Sequence, residues 1–195
     1  MTPVTLLVSV AAGYAIGSVP VAYLVARARG INIFAVGTGN PGAANTFRSV
    51  GRGAGLFVFA ADAARGAAAV GIAAALSVEP AELRVLAGAA AVAGHWYPIF
   101  LRFRGGAGLA PAVGIALATL PVAALIGMVP AGMLLLRFHN TAYAAVAGFT
   151  VFFLIGLIIG QPTAALAVVL MAALVVLHTR FVYERFTVEH RRSRS

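Results

Sequence analysis

The chain has 195 residues, of which 62% are hydrophobic and 10% charged, and its mean hydropathy is +0.98. That composition excludes an ordinary water-soluble globular domain and makes the bilayer its solvent. Cysteine is absent, which excludes a disulfide framework, a thiolate nucleophile and a cysteine metal site, and all 14 basic residues behind the net charge of +9 are arginine.

The first apolar run, 4–26, has no basic segment before it and is too long for the core of a signal peptide, so it is expected to remain as a membrane span. Further apolar runs cover 53–77, 82–101, 108–136, 141–160 and 163–179, against about 20 helical residues needed to cross a hydrocarbon core. The run 108–136 suits either one long tilted helix or two shorter ones, 108–119 and 121–136, broken where Pro121 removes an N–H and crowds the preceding turn. Charge parity favours the break. With it, Arg27, Arg29, Arg48, Arg52, Arg102, Arg104 and Arg137 fall on one side with the tail arginines Arg180, Arg185, Arg191, Arg192 and Arg194, whereas Glu79, Glu82 and Arg84 fall on the other. The expectation is an all-α polytopic bundle of about seven transmembrane helices forming a single membrane domain over 1–195, N-terminus outside and C-terminus cytoplasmic.

Two segments on the arginine-rich side are richer than topology requires. Between Ala35 and Arg48 lie Gly37, Thr38, Gly39, Asn40, Pro41, Gly42, Asn45 and Thr46. Successive turns with positive φ can converge backbone N–H groups on an anion, to which Arg48 adds a charge-assisted contact. A turn-rich linker has much the same composition, and the P-loop pattern is absent. The second segment, Gly94 to Gly108, ends a span in aromatic residues and then presents Arg102, Arg104, Gly105, Gly106 and Gly108 ahead of the next helix, whose first amides suit an anion. His95 is either an acid–base group or a hydrogen-bonded structural histidine. Inside the second run, Asp62 and Arg65 share one helix face at i and i+3, as a buried pair or as part of a site.

Four segments together resemble the acyl-phosphate glycerol-3-phosphate acyltransferases: Gly17-Ser18-Val19-Pro20, the stretch Gly37 to Arg48, Asp62 to Gly66 against the family's Asp-x-x-Lys-Gly, and Gly94-His95 through Gly108. The resemblance implies transfer of a fatty acyl group from acyl phosphate to the sn-1 hydroxyl of glycerol 3-phosphate, giving lysophosphatidic acid for phospholipid synthesis at the cytoplasmic face of the inner membrane. It implies direct attack without an acyl-enzyme and no cofactor or metal. The expected partners are these anionic substrates and the bilayer, not nucleic acid. Carried over by position, Thr38 replaces a family serine and Arg48 is the phosphate anchor, with Thr38, Arg48 and His95 catalytic. Gly37, Gly39, Asn40, Gly42, Asn45, Asp62, Arg65, Arg104, Gly105, Gly106 and Gly108 are expected to line the substrates. The chain departs from the family pattern at Ala107, where a Gly-Gly-Lys-Gly loop has its lysine, at Asn32 and Phe34, where Asp and Arg are usual, and after His178, where an asparagine is missing. Two other functions fit the residues: a non-catalytic paralogue that binds lipid or acyl phosphate, favoured by Ala107, and a small anion or lipid transporter, favoured by the intramembrane Asp62 and Arg65.

Overall fold

The computed structural model describes residues 2–192, with side chains placed through Thr179. All of its regular structure is helical, in the order α1 (Pro3–Gly17), α2 (Val21–Arg27), α3 (Ala43–Ser49), α4 (Arg52–Ala75), α5 (Arg84–Trp96), α6 (Leu109–Thr119), α7 (Pro121–Phe138), α8 (Thr141–Ile158) and α9 (Pro162–Arg192). The side chains of the tail arginines used in the charge argument lie outside the described residues.

Local chemistry sets the helix ends. Thr2 caps α1 by accepting from the Thr5 N–H at 3.2 Å, ahead of Pro3 in the first turn, and Asn140 caps α8 through the N–H groups of Ala142 and Tyr143. The first apolar run is two helices, because Pro20 has no N–H to continue the ladder past Ser18. The run 108–136 is likewise two helices, with Pro121 opening α7 at the position where a missing N–H is harmless. The third run is helical for a shorter stretch than its hydropathy suggests: α5 stops at Trp96 because Pro98 turns the preceding residue away from helical geometry, and a single 3₁₀ turn, Ile99–Leu101, comes next.

Among the described residues, five helical stretches are long and apolar enough to cross a membrane: Pro3–Arg27, Arg52–Ala75, Pro121–Phe138, Thr141–Ile158 and Pro162–Thr179. With 13 and 11 residues, α5 and α6 are about 20 and 16 Å long at 1.5 Å per residue. The outer surface is apolar, with Leu7, Leu56, Leu136 and Ile158 more than 60% exposed, as lipid-facing side chains are.

Small residues let the helix backbones close on one another, since lipid tails are as apolar as leucine and supply no hydrophobic drive for association. Along α1 and α5, a Cβ on Gly13 or Gly17 would overlap the carbonyls of Ala87 or Ala91, and one on Gly94 would overlap Tyr14. Along α4 and α6, Gly66 lies against the Pro111 carbonyl and Gly114 against that of Ala63. Around α6, Val92, Ile115, Leu120, Phe152, Val168 and Val175 form the apolar core that joins α5, α6, α8 and α9. This frame brings the break between α1 and α2, the middle of α4 and the end of α5 to one place.

Candidate active site

The first loop is folded around Asn45, which is 1% exposed. Its Nδ2 donates to the carbonyls of Val36 at 3.0 Å and Ile33 at 3.3 Å, while its Oδ1 accepts from the Thr38 N–H at 3.1 Å and the Ser49 hydroxyl at 3.2 Å. Gly37 has φ +57°, and a Cβ there would overlap Asn45 Oδ1 and Ser49 Oγ. Gly39, with φ +69°, continues the turn, and Gly42 opens the short helix α3. Asn45 thus spends its amide inside the loop and leaves none for a ligand. Two buried oxygens, Thr38 Oγ1 and Asn40 Oδ1, meet no partner among the described residues, where buried polar atoms are ordinarily paired. Arg48 is exposed in the last turn of α3 and makes no hydrogen bond among the described residues.

The second loop is held by backbone and aromatic groups. The Gly106 N–H donates to the His95 carbonyl at 3.0 Å, and the Trp96 indole N–H to the Ala107 carbonyl at 2.8 Å. Arg102 and Phe103 both have positive φ, and Gly108 (φ +92°) opens α6 with no space for a Cβ beside Trp96 Nε1. The two loops touch. The Arg104 guanidinium lies 4.8 Å from the centre of the Phe34 ring, and a Cβ built on Gly106 would come 3.1 Å from the Pro41 carbonyl oxygen.

Beneath the seam, Arg65 donates to the carbonyls of Gly17 and Val19 and pairs with Asp62, while His95 is also buried and reaches the same guanidinium. A small cleft lies between these groups and Gly105, Gly106 and Pro41. A separate, largely apolar cavity of about 240 Å³ lies between α4, α6, α7 and α8, with Leu109, the residue after Gly108, Phe149 and Phe152 in its lining.

The glycerol-3-phosphate acyltransferase family profile matches residues 7–187. The chain belongs to that family. It is 41% identical over 178 residues to glycerol-3-phosphate acyltransferase 1 of Deinococcus radiodurans, covering 88% of this chain and 87% of the relative. Against glycerol-3-phosphate acyltransferase 4 of Dehalococcoides mccartyi it is 43% identical over 66% of this chain, and there, as in several other curated relatives it matches, it spans about half the relative's length, 55% in this case. The crystal structure of PlsY (YgiH), an integral membrane glycerol 3-phosphate acyltransferase, in its glycerol 3-phosphate form superposes with a TM-score of 0.81 at 28% identity, covering 94% of this chain and 92% of that one. This family member is a multi-pass membrane protein.

Within the family frame, residues from both loops and from α4 and α5 meet at the seam and the cleft beneath it, and Gly37, Arg48 and Arg104 are exposed. The site residues that the sequence did not reveal are aromatic. Trp96 stacks on His178 with ring centres 4.2 Å apart, Tyr97 Oη is 3.4 Å from His178 Nε2, and the Tyr14 hydroxyl donates to the Tyr97 carbonyl at 2.8 Å. In the sequence His178 stands out only for the asparagine missing after it, and Trp96 and Tyr97 only as interfacial aromatics; the linkage of Tyr97 to His178 across 81 positions has no local signal in the chain.

Proposed function

We propose that this chain transfers a fatty acyl group from acyl phosphate to the sn-1 hydroxyl of glycerol 3-phosphate, releasing lysophosphatidic acid and inorganic phosphate. The observation that carries this reading is the pair of unpartnered oxygens, Thr38 Oγ1 and Asn40 Oδ1, in the first of two touching glycine-bearing loops that also carry Arg48 and Arg104. The two acceptors suit substrate hydroxyls, and the Thr38 hydroxyl also has a proton to donate, whereas the guanidinium groups and loop amides suit phosphate oxygens. The solved relative's glycerol 3-phosphate and lysophosphatidic acid forms support the same pair of substrate and product.

The hydroxyl oxygen attacks the acyl carbonyl carbon, the bond from that carbon to the phosphate oxygen breaks, and the proton leaves with phosphate. Such a site works by placing reactants and by meeting phosphate charge with fixed donors, needing no acyl-enzyme and no cofactor. The largely apolar cavity whose lining includes Leu109 is suited to the acyl chain. In this reading the single domain crosses the inner membrane seven times, with α5 and α6 completed by the turns at their ends, the N-terminus outside and the loops on the cytoplasmic face.

Ala107 supports a second reading, a paralogue that binds but turns over poorly. Losing one charge-assisted phosphate contact costs about 1.5–3 kcal/mol, roughly one to two decades in rate. The test is lysophosphatidic acid formation and phosphate release from palmitoyl phosphate and glycerol 3-phosphate by the protein in liposomes. Turnover that falls at least roughly tenfold in Arg48→Ala supports the enzyme. A silent parent that Ala107→Lys revives marks the paralogue.

A further inference from the structure

The contacts within the Asp62, Arg65 and His95 cluster bear on which nitrogen of the histidine carries a proton. Arg65 Nη1 donates to the Gly17 carbonyl at 2.8 Å and to that of Val19, and Nη2 donates to Asp62 Oδ1 and lies 3.3 Å from His95 Nδ1. A guanidinium keeps its protons and has no acceptor, so its contact with Nδ1 is a hydrogen bond only if Nδ1 presents a lone pair. The second oxygen of Asp62 is 4.0 Å from the same nitrogen, beyond hydrogen-bond reach, and does not compete for a proton there.

We propose that Arg65 locks His95 in the tautomer protonated at Nε2, and that this N–H is a fixed donor to an oxygen of the phosphorylated substrate at the seam of the two loops. Nε2 faces Gly106: a Cβ on that residue would overlap it while lying 3.1 Å from the Pro41 carbonyl oxygen, so the missing side chain is what leaves the donor uncovered. Among the described residues no group accepts from Nε2. The same cleft is lined by Gly17, Pro41, Asp62, Arg65, His95 and Gly106.

This arrangement separates two roles that the sequence leaves open for His95. With Nδ1 turned to Arg65 and Nε2 already protonated, the ring has no lone pair to take a proton from the acceptor hydroxyl. It acts as a donor to charge that builds on oxygen, not as a base. Asp62 and Arg65 are committed to each other, and Arg65 also to the carbonyls of Gly17 and Val19. Arg65 is a positioning residue that ties the broken first span to the ring, and Asp62 compensates its buried charge. The part played in turnover rests on the function proposed above, whereas the tautomer does not.

The first experiment is ¹⁵N spectroscopy of the full chain in nanodiscs, labelled at histidine and arginine, with His95 assigned by its absence from His95→Gln. The expected spectrum has His95 protonated at Nε2 and an arginine N–H correlated with Nδ1; a proton on Nδ1, or an Nδ1 without an arginine partner, overturns the lock. In turnover, His95→Gln retains most of the parent rate because its amide still donates from the Nε2 position, whereas His95→Leu loses roughly ten- to a hundredfold. Equal loss in both overturns the donor role. A parent silent towards acyl phosphate would sink the proposed reaction and leave the spectrum to decide the tautomer.

Discussion

The two glycine-bearing loops share a composition suited to anions but are held in opposite ways. In the first, a single buried side chain, Asn45, gathers four backbone and side-chain groups, and Thr38 and Asn40 are left with oxygens to spare. In the second, backbone carbonyls and the Trp96 indole do the holding, while the polar side chain at the rim, Arg104, rests on the first loop's Phe34. A loop organised chiefly around one side chain, with only local turn bonds such as Gly39 N–H to the Val36 carbonyl beside it, should fail as a unit when that side chain is lost. One held by distributed contacts should fail by degrees.

The largest effect expected from this contrast is at Asn45. Replacing it with leucine of similar volume leaves the Thr38 N–H and the Ile33 carbonyl unpaired, at about 1–3 kcal/mol for each group that stays buried, while the Val36 carbonyl keeps its bond from the Gly39 N–H. Thermal unfolding in detergent should show a loss of about 2–4 kcal/mol, and turnover should fall more than roughly a hundredfold. A variant with parental stability would mean that the loop has a second scaffold. The second loop should yield less. Gly108→Ala must carry a Cβ at φ +92° against Trp96 Nε1, which costs about 1–2 kcal/mol for the backbone plus about 1 for the displaced indole bond. Trp96→Phe keeps the stacking surface for His178 and loses only that bond, so it should unfold with a loss of about 1 kcal/mol. Were Trp96→Phe as damaging as Asn45→Leu, the distinction between the loops would fall.

Apolar runs and prolines made most of the bundle legible: the helix break at Pro121 follows from a missing N–H, and the segments that became α4, α7, α8 and α9 are visible as long apolar stretches. The break at Ser18–Pro20 is hidden in hydropathy, because both halves are apolar and only Pro20 marks the join. Glycine-rich composition showed which loops matter, but not how each residue is used. Asn45, counted with the ligand-facing residues, is an internal clamp, because its partners at Ile33 and Val36 are chosen by the fold of the loop and not by any motif. The pairing of Asp62 with Arg65 follows from helical spacing, whereas the third member, His95, arrives from another helix by packing of Gly94 against α1.

The smallest effect concerns the contact of Arg104 with Phe34, which joins the loops through side chains. Phe34 stands where the family usually has an arginine, and the Arg104 guanidinium 4.8 Å from its ring centre is a cation held by an aromatic face. The chain lacks the loop lysine at Ala107, so the placement of Arg104 is what keeps a positive charge beside Gly105 and Gly106. Phe34→Leu preserves apolar bulk but removes the ring's negative face, and an exposed contact of this kind is worth about two- to fivefold in binding. KM for glycerol 3-phosphate should rise by about that factor with kcat nearly unchanged, since a cation that is merely less well placed weakens ground-state and transition-state binding alike. Phe34→Tyr should behave as the parent. If Ala107→Lys is introduced into Phe34→Leu, the restored loop cation should make the ring dispensable. A penalty that persists in the double variant would show that Phe34 serves the packing of the first loop and not the charge of the second.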